Sequence, residues 1–440
     1  MSRTALIFCV TLVFALMFTG AAMAQQQTQD PPQPVLKVIT PPGNEQATGV
    51  VDVRIMSMNC SPNAVVLGLP GAVWASLTEL EDEPGIWTGT IDTTLLPNGR
   101  TLLSAFSDNR KARGGVLIHV DNPLQIYFGD IHSHTSFSDG TLIPSIAFDY
   151  ARNTTGLDVF VLTDHLESVS DEEWLDTRLQ SQAANEDGVF TTLPGLEWTK
   201  RVGHMNIFDP KVRTWPEGLE EMYAAASEAN VVLQFNHPGD GTVSHAGLVY
   251  SEVGDKAVQL METRRPQEEL AFIRALNNGW HIAPTGTDDT HSANWGQGLA
   301  VTGLLMPGLS QINLLDALRN RRCYSTNDRN CELTFTVNGQ VMGGMINPTA
   351  ETLSIHVSVN DPDETDQITT IELFQDGEIV ETVEPNAASY VWELNKPSPG
   401  SGYVFVKATQ ADGHLVYSAP IWIEATLGVN PLLPTSISTK

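Results

Sequence analysis

Between Ile126 and His291, short apolar runs end again and again in a histidine or a carboxylate. Ile126-Tyr127-Phe128 leads into Asp130-Ile131-His132-Ser133-His134, with Asp139-Gly140 just beyond. The run 159–162 leads into Thr163-Asp164-His165. Gly195-Leu196-Glu197 closes another apolar stretch, and Gly203-His204-Met205-Asn206 follows it. The run 231–235 leads into Asn236-His237-Pro238-Gly239, and Gly286-Thr287-Asp288-Asp289-Thr290-His291 completes the series. Between these runs, residues 143–152, 219–229, 267–277 and 310–319 space their apolar side chains as amphipathic helices do. Strand and helix in alternation predict βα units and a parallel sheet, open or closed into a barrel. Such a sheet gathers the C-terminal ends of its strands at one edge, so the polar ends of the runs would meet there.

The residue types at those ends suit one chemistry. In His-x-His at a strand end, alternate side chains share a face, so His132 and His134 would converge. Two neutral imidazoles a few Å apart suit a divalent first-row metal, although a solvated surface pair has the same spacing. Asp164-His165 follows a buried run; Asp164 alone also fits a loop residue or a helix N-cap. Glu197 alone fits an ordinary surface carboxylate, but a carboxylate can bridge two metals and an imidazole cannot. His204, His237 and His291 taken singly fit satisfied loop or core histidines. Taken together, the strand ends point to one metal site. Six of the chain's eleven histidines are thus candidate ligands, and a seventh singled out in the same stretch, His245, reads as a surface-loop histidine with no role.

The flanking segments read differently. Residues 1–24 hold Arg3, an apolar run 5–18 and Ala22-Met23-Ala24, the pattern of a cleaved secretory signal peptide, with an uncleaved anchor as the alternative. Residues 25–34 read as a proline-rich linker. Residues 35–121 and 328–426 alternate apolar and polar positions between turn residues, which predicts two β-sandwiches around a central domain of 122–327, with a loose tail at 427–440. Cys323 and Cys331 could pair in an oxidising compartment, leaving Cys60 over. A formal charge of −28 repels nucleic acid and anionic membranes, so neither is an expected partner.

The ordered set His132-x-His134, Asp139, Asp164-His165, Glu197, His204, His237 and Asp289-x-His291 resembles the polymerase-and-histidinol-phosphatase (PHP) family of metal-dependent hydrolases. Gly203-His204-x-Asn206 and the flanking β segments are similar to its CehA/McbA branch, which includes a carbaryl esterase. Phe335-Thr336-Val337-Asn338-Gly339, Asp361-Pro362-Asp363 and Thr409-Gln410-Ala411-Asp412-Gly413 look like that branch's C-terminal module. The resemblance implies an α/β fold: a distorted (β/α)7 barrel flanked by N- and C-terminal immunoglobulin-like β-sandwich domains. It also implies two to three divalent ions, Zn, Mn or Fe. Carried over by position, the first ion would sit on His132, His134, Glu197 and Asp289. The second would sit on Glu197, His204 and His237, and the third on Asp139, His165 and His291. Of these, His132, His134, Glu197, His237 and Asp289 would form the reacting centre. Asp139 stands where other PHP proteins commonly have histidine, which favours a harder ion such as Mn²⁺ over Zn²⁺. The Asp-x-His spacing selects Asp289 as the ligand, with Asp288, Asp130 and Asp164 orienting nearby groups.

Ions so held lower the pKa of a bound water, polarise a substrate oxygen and stabilise a leaving one. Neither a Gly-x-Ser-x-Gly elbow nor a phosphate-binding P-loop is present. The expected function is a secreted or periplasmic phosphoesterase with metal-bridged hydroxide as nucleophile, acting on a small-molecule or cell-surface ester. Arg201, Arg264, Arg265 and Arg322 are candidates to hold phosphate, or plain surface charges. A carboxylic ester or carbamate is the alternative substrate. A surface- or glycan-binding protein with an inert barrel is the alternative of another class.

Overall fold

The computed structural model describes residues 33–67, 74–107, 112–239, 244–347, 349, 351–363 and 365–424. The leader 1–24, most of the linker 25–34 and the tail 427–440 lie outside the described residues. Among the described residues no helix is long and apolar enough to cross a membrane.

The N-terminal segment folds into two antiparallel-rich sheets. In one, Val50–Met58 lies between Val35–Thr40 and Ile86–Asp92. In the other, Gly99–Ser107 lies between Pro62–Leu67 and Arg113–Val120. Alternate side chains turn inward, and Val53, Ile55, Leu103, Ala105, Ile118 and Val120 form the shared core.

Among the described residues the central region contains nine strands: β1 (Gln125–Asp130), β2 (Val159–Leu162), β3 (Thr191–Lys200), β4 (Gly203–Phe208), β5 (Val232–Asn236), β6 (Val258–Glu262), β7 (Ala283–Thr285), β8 (Val301–Met306) and β9 (Cys323–Thr326). Six helices accompany them: α1 (Pro144–Asn153), α2 (Asp171–Ala184), α3 (Leu219–Ala229), α4 (Glu252–Asp255), α5 (Pro266–Asn277) and α6 (Gln311–Arg319). The strand order is β7-β6-β5-β4-β3-β2-β1-β8-β9. Strands β1 to β3 are mutually parallel, as are β5 to β7. Strand β4 runs against both neighbours, and β8 runs antiparallel to β1 on one side and to β9 on the other.

This overturns the expected helix-rich (β/α)7 barrel. The described chain is mostly β, and its main sheet is mixed and curls into a half-barrel. The physical reason lies in the connections. A parallel pair needs a long crossover, usually a helix, whereas an antiparallel pair needs only a turn. Residues 201–202 join β3 to β4 as a tight turn with Gly203 at φ 145°, so no helix intervenes there.

The sheet also does not stop at residue 327. Strand β9 pairs with Leu415–Ser418, and Gly402–Gln410, Ile368–Gln375 and Glu378–Val383 extend the same sheet. A four-stranded sheet built around Glu332–Val337, Thr352–Asn360 and Ser389–Pro397 covers that extension. One apolar core runs through both parts, from Val161 and Leu304 to Val357 and Val406. Cys323 and Cys331 are buried and free, so the pairing considered from sequence does not form.

Candidate metal centre

The curl of the sheet determines where the polar strand ends go. His132 and His134 follow β1, His165 follows β2, His237 follows β5, and Asp289 and His291 follow β7. Glu197 lies within β3 and His204 at the start of β4. Because β4 is reversed, its first residues sit beside the last residues of β5, with His204 opposite Asn236. His204 therefore reaches the same edge as the ends of the parallel strands. The half-barrel closes locally at that edge. Ser133 and Thr290 form a parallel bridge, His134 N–H donates to Thr290 O at 2.8 Å, and Asp289 N–H donates to His132 O at 3.1 Å. A second bridge sets His165 beside Glu197. His237 and Asp289 have φ values of 32° and 53°, a left-handed backbone that side chains adopt at some cost and that recurs at functional sites.

All nine residues assigned to the site from sequence are brought together. Three groups of ligand atoms lie within 4.8 Å of one another: His134, Asp139, His165 and His291; His132, His134 and Glu197; and Glu197, His204 and His237. Asp289 joins the second group, its Oδ1 lying 3.2 Å from His132 Nε2 and 3.0 Å from His134 Nε2. Glu197 is the hub. Its Oε1 is 3.4 Å from His132 Nε2, 3.3 Å from His204 Nδ1 and 3.6 Å from His237 Nε2; its Oε2 is 2.7 Å from His165 Nδ1. The chain thus holds buried His, Glu and Asp groups able to bind metal ions.

Their support is built in. His132 Nδ1 lies 2.6 Å from Glu262 Oε1 at the end of β6. A carboxylate can only accept, so Nδ1 carries a proton, and Nε2, beside Glu197 and Asp289, is the nitrogen that loss of a proton frees for a metal. Glu262 also accepts from Thr287 Oγ1 at 2.5 Å and His237 N–H at 2.5 Å. Asn236 Nδ2 donates to Glu197 Oε1 at 2.7 Å, and Thr135 and Ser138 donate to Asp164. Asp130 accepts from His132 N–H at 3.2 Å and Ser133 Oγ at 3.0 Å.

The electrostatics follow from burial and from crowding. Burial alone would push the Glu197 carboxyl up, but the His132 charge and hydrogen bonds from His132, His165 and His204 hold it well below the usual range. Burial opposes a charge on His132, yet Asp289, Glu197 and Glu262 raise it well above an ordinary imidazole. Burial lowers His134. Burial, helped by Asp288, pushes Asp130 up to about 8. The field at His132 favours a cation of either kind, proton or metal.

Sequence reasoning missed Glu262, fully buried and in contact with His132. Its one mark in the sequence is that β6 is another apolar run ending in a carboxylate, which is too common to single it out. His245 also departs from expectation. It is buried, not on the surface: its Nε2 lies 2.8 Å from His204 O and its ring packs on Phe235. Burial lowers its pKa to about 4, so it stays neutral and braces His204. Beside the cluster opens a cleft of about 630 Å³ lined by His237, Arg264, Arg265, Thr287, Asp289 and Asn327 among others. Of the proposed phosphate-holding residues, Arg264 and Arg265 reach this cleft, but both are paired with Glu268. Arg322 pairs with Asp316 behind the sheet.

No protein-family profile matches the chain. Uncharacterized proteins of Chlamydia muridarum and Chlamydia trachomatis are 26% and 25% identical over 152 residues, covering 31% of this chain and 24% of each relative. The match thus spans about a quarter of the length of these relatives. Among solved structures, an endo-β-1,4-mannanase from Thermotoga petrophila is 16% identical over 21% of both chains, with a TM-score of 0.18. A modular endo-β-1,4-mannanase from Cellulomonas fimi is 12% identical over 68% of this chain and 94% of its own, with a TM-score of 0.19. Likeness at that level says nothing of function, and the chain's chemistry rests on the residues at its sheet edge.

Proposed function

We propose that the chain is a secreted metal-dependent hydrolase of ester bonds, with a phosphoester as the first substrate class and two to three Zn, Mn or Fe ions as its cofactor. The observation that carries this reading is Glu197, 1% exposed, with its two oxygens shared among five imidazoles. A carboxylate has two oxygens and can hold an ion on each. One set at the junction of two ligand groups suits a bridge between ions. The donor set fits the metal: Glu262 fixes the His132 tautomer that leaves Nε2 free, and the remaining donors are imidazoles and carboxylates. The ordered residues also resemble those of the PHP family. Bound there, divalent ions would activate water and polarise the scissile bond. The chain's own groups hold the ligands in register. His245 and Asn236 fix His204 and Glu197, and the cleft by His237 and Asp289 admits the substrate.

One observation favours a carboxylic ester or carbamate on the same site. Arg264 and Arg265 are committed to Glu268, and Arg264 also to Glu262, so the cleft offers an anion less than its arginines suggest. Elemental analysis of the mature chain before and after chelation, with a panel of phosphomonoesters, phosphodiesters and carboxylic esters, tests both readings. The expected result is two to three ions per chain and chelator-sensitive turnover of one bond type. Asp289→Ala and His237→Ala should each lower metal content and cut turnover at least about 100-fold. Full metal content and activity in either variant would overturn the site. Absence of stoichiometric metal and of activity would favour a binding protein.

A further inference from the structure

A second cluster lies at the seam where the central sheet passes into the C-terminal module, formed by three separate loops. Asp328 follows β9, Asp361, Asp363 and Asp366 fall between strands Thr352–Asn360 and Ile368–Gln375, and Asp412 and His414 occupy the hairpin after Gly402–Gln410. Ligand atoms of Asp328, Asp366 and His414 lie within 4.8 Å of one another. Among the described residues no Lys or Arg forms an ion pair with Asp328, Asp361, Asp363 or Asp366. Asp328 and Asp361 are 8% and 3% exposed, and buried carboxylates this close repel one another unless a proton or a cation intervenes.

An independent observation points to a ligand. The Gln410 side chain, 2% exposed, ends among these carboxylates. Its Nε2 donates to Asp328 Oδ2 at 2.8 Å and to Asp361 Oδ2 at 2.5 Å, while its Oε1 is buried with no hydrogen-bond partner. A buried carbonyl oxygen without a donor is costly, and a metal ion is one group that would satisfy it. We propose that this seam carries a second divalent-cation site, with Asp328, Asp366 and His414 as ligands and the Gln410 amide and Asp361 completing its oxygen-rich wall. Carboxylate and amide oxygens with one imidazole suit a first-row divalent ion such as Mn²⁺ or Zn²⁺ better than Ca²⁺. The ion ties the module to the central sheet. It also steadies the cleft, because Asn327 lines it and Arg329 reaches back to Thr155 O at 2.7 Å.

The test counts ions in the full mature chain, stripped with chelator and dialysed against Ca²⁺, Mn²⁺ or Zn²⁺ alone. It uses two backgrounds: the native chain and a His132→Ala, His237→Ala, Asp289→Ala chain that lacks the central ligands. The expected result is one ion per chain remaining in the second background, Mn²⁺ or Zn²⁺ held more tightly than Ca²⁺, and a melting temperature raised by that ion. Adding Asp366→Asn with His414→Ala should remove both the ion and the shift. In the native background the same pair should lose one ion and keep chelator-sensitive turnover, so the result stands apart from that of the central cluster. An unchanged ion count in both backgrounds on making the Asp366→Asn, His414→Ala pair would overturn the proposal.

Discussion

At the scale of single residues, the cluster depends on a carboxylate that binds nothing itself. Glu262 orients His132 through Nδ1 and also accepts from Thr287 and His237. Glu262→Gln keeps the shape but loses the charge that fixes the tautomer. Metal affinity should fall roughly 10- to 100-fold, measured by competition with a chelating dye, with little change in melting temperature. Unaltered affinity would mean that the contact is only structural. The same field sets a pH dependence. Metals bind the unprotonated imidazole, and His132 is raised above the ordinary histidine value by Asp289, Glu197 and Glu262. Protons therefore compete with the metal from above that value downward. Ion content and turnover should both be higher at pH 8 than at pH 6, and equal occupancy at the two would contradict the assignment. The nine ligand candidates were legible because each stands out in residue type against an apolar run. Glu262 was not, because a lone carboxylate after Val258-Gln259-Leu260-Met261 looks like any strand end until His132 is seen against it.

Among the elements, apolar runs disclosed where strands lie but not which way they point. Strands β2 and β5 and helices α1, α3, α5 and α6 stand within two residues of the segments expected from periodicity. The reversed direction of β4 and β8 was hidden, because a strand reads alike in either direction and only the length of the connection separates the two cases. Counting runs as βα units thus turned a mixed half-barrel into a barrel. Helix α2 was missed for another reason: its mean hydropathy is low and it buries chiefly Trp174, Thr177 and Ser181. Its start was nevertheless written as a capping box, with Ser170 Oγ accepting from Glu173 N–H and Glu173 accepting from Ser170 N–H. Ser170→Ala should cost about 1 kcal/mol of stability in denaturant titration. It should leave metal content untouched, because α2 packs behind β3 and holds none of the ligands.

For the whole molecule, the decisive feature is that the central sheet and the C-terminal module are one hydrogen-bonded structure, so contacts across their seam govern how the site's scaffold is held. His281 makes such a contact. It follows α5, its Nδ1 lies 2.7 Å from Asp255 Oδ2 and its Nε2 2.6 Å from Glu424 Oε1, and its ring packs against Trp422. Burial opposes its charge, but hydrogen bonds to Asp255 and Glu424 outweigh that and raise its pKa to about 9. In the unfolded chain it would titrate near the ordinary histidine value, about 6.5. A folded pKa above the unfolded one gives stability that is fully present below about pH 6.5 and is lost as pH rises through about 9. His281→Gln removes the charge. At pH 6 the variant should be less stable than the native chain by on the order of 1–2 kcal/mol, a figure reduced for the partial exposure of the pair. By pH 10 the two should converge. Unfolding curves of both proteins at the two values decide the matter. A gap that stays constant with pH would show that the imidazole contributes packing on Trp422 and not charge, and the hold across the seam would then owe nothing to its pairing with Asp255 and Glu424.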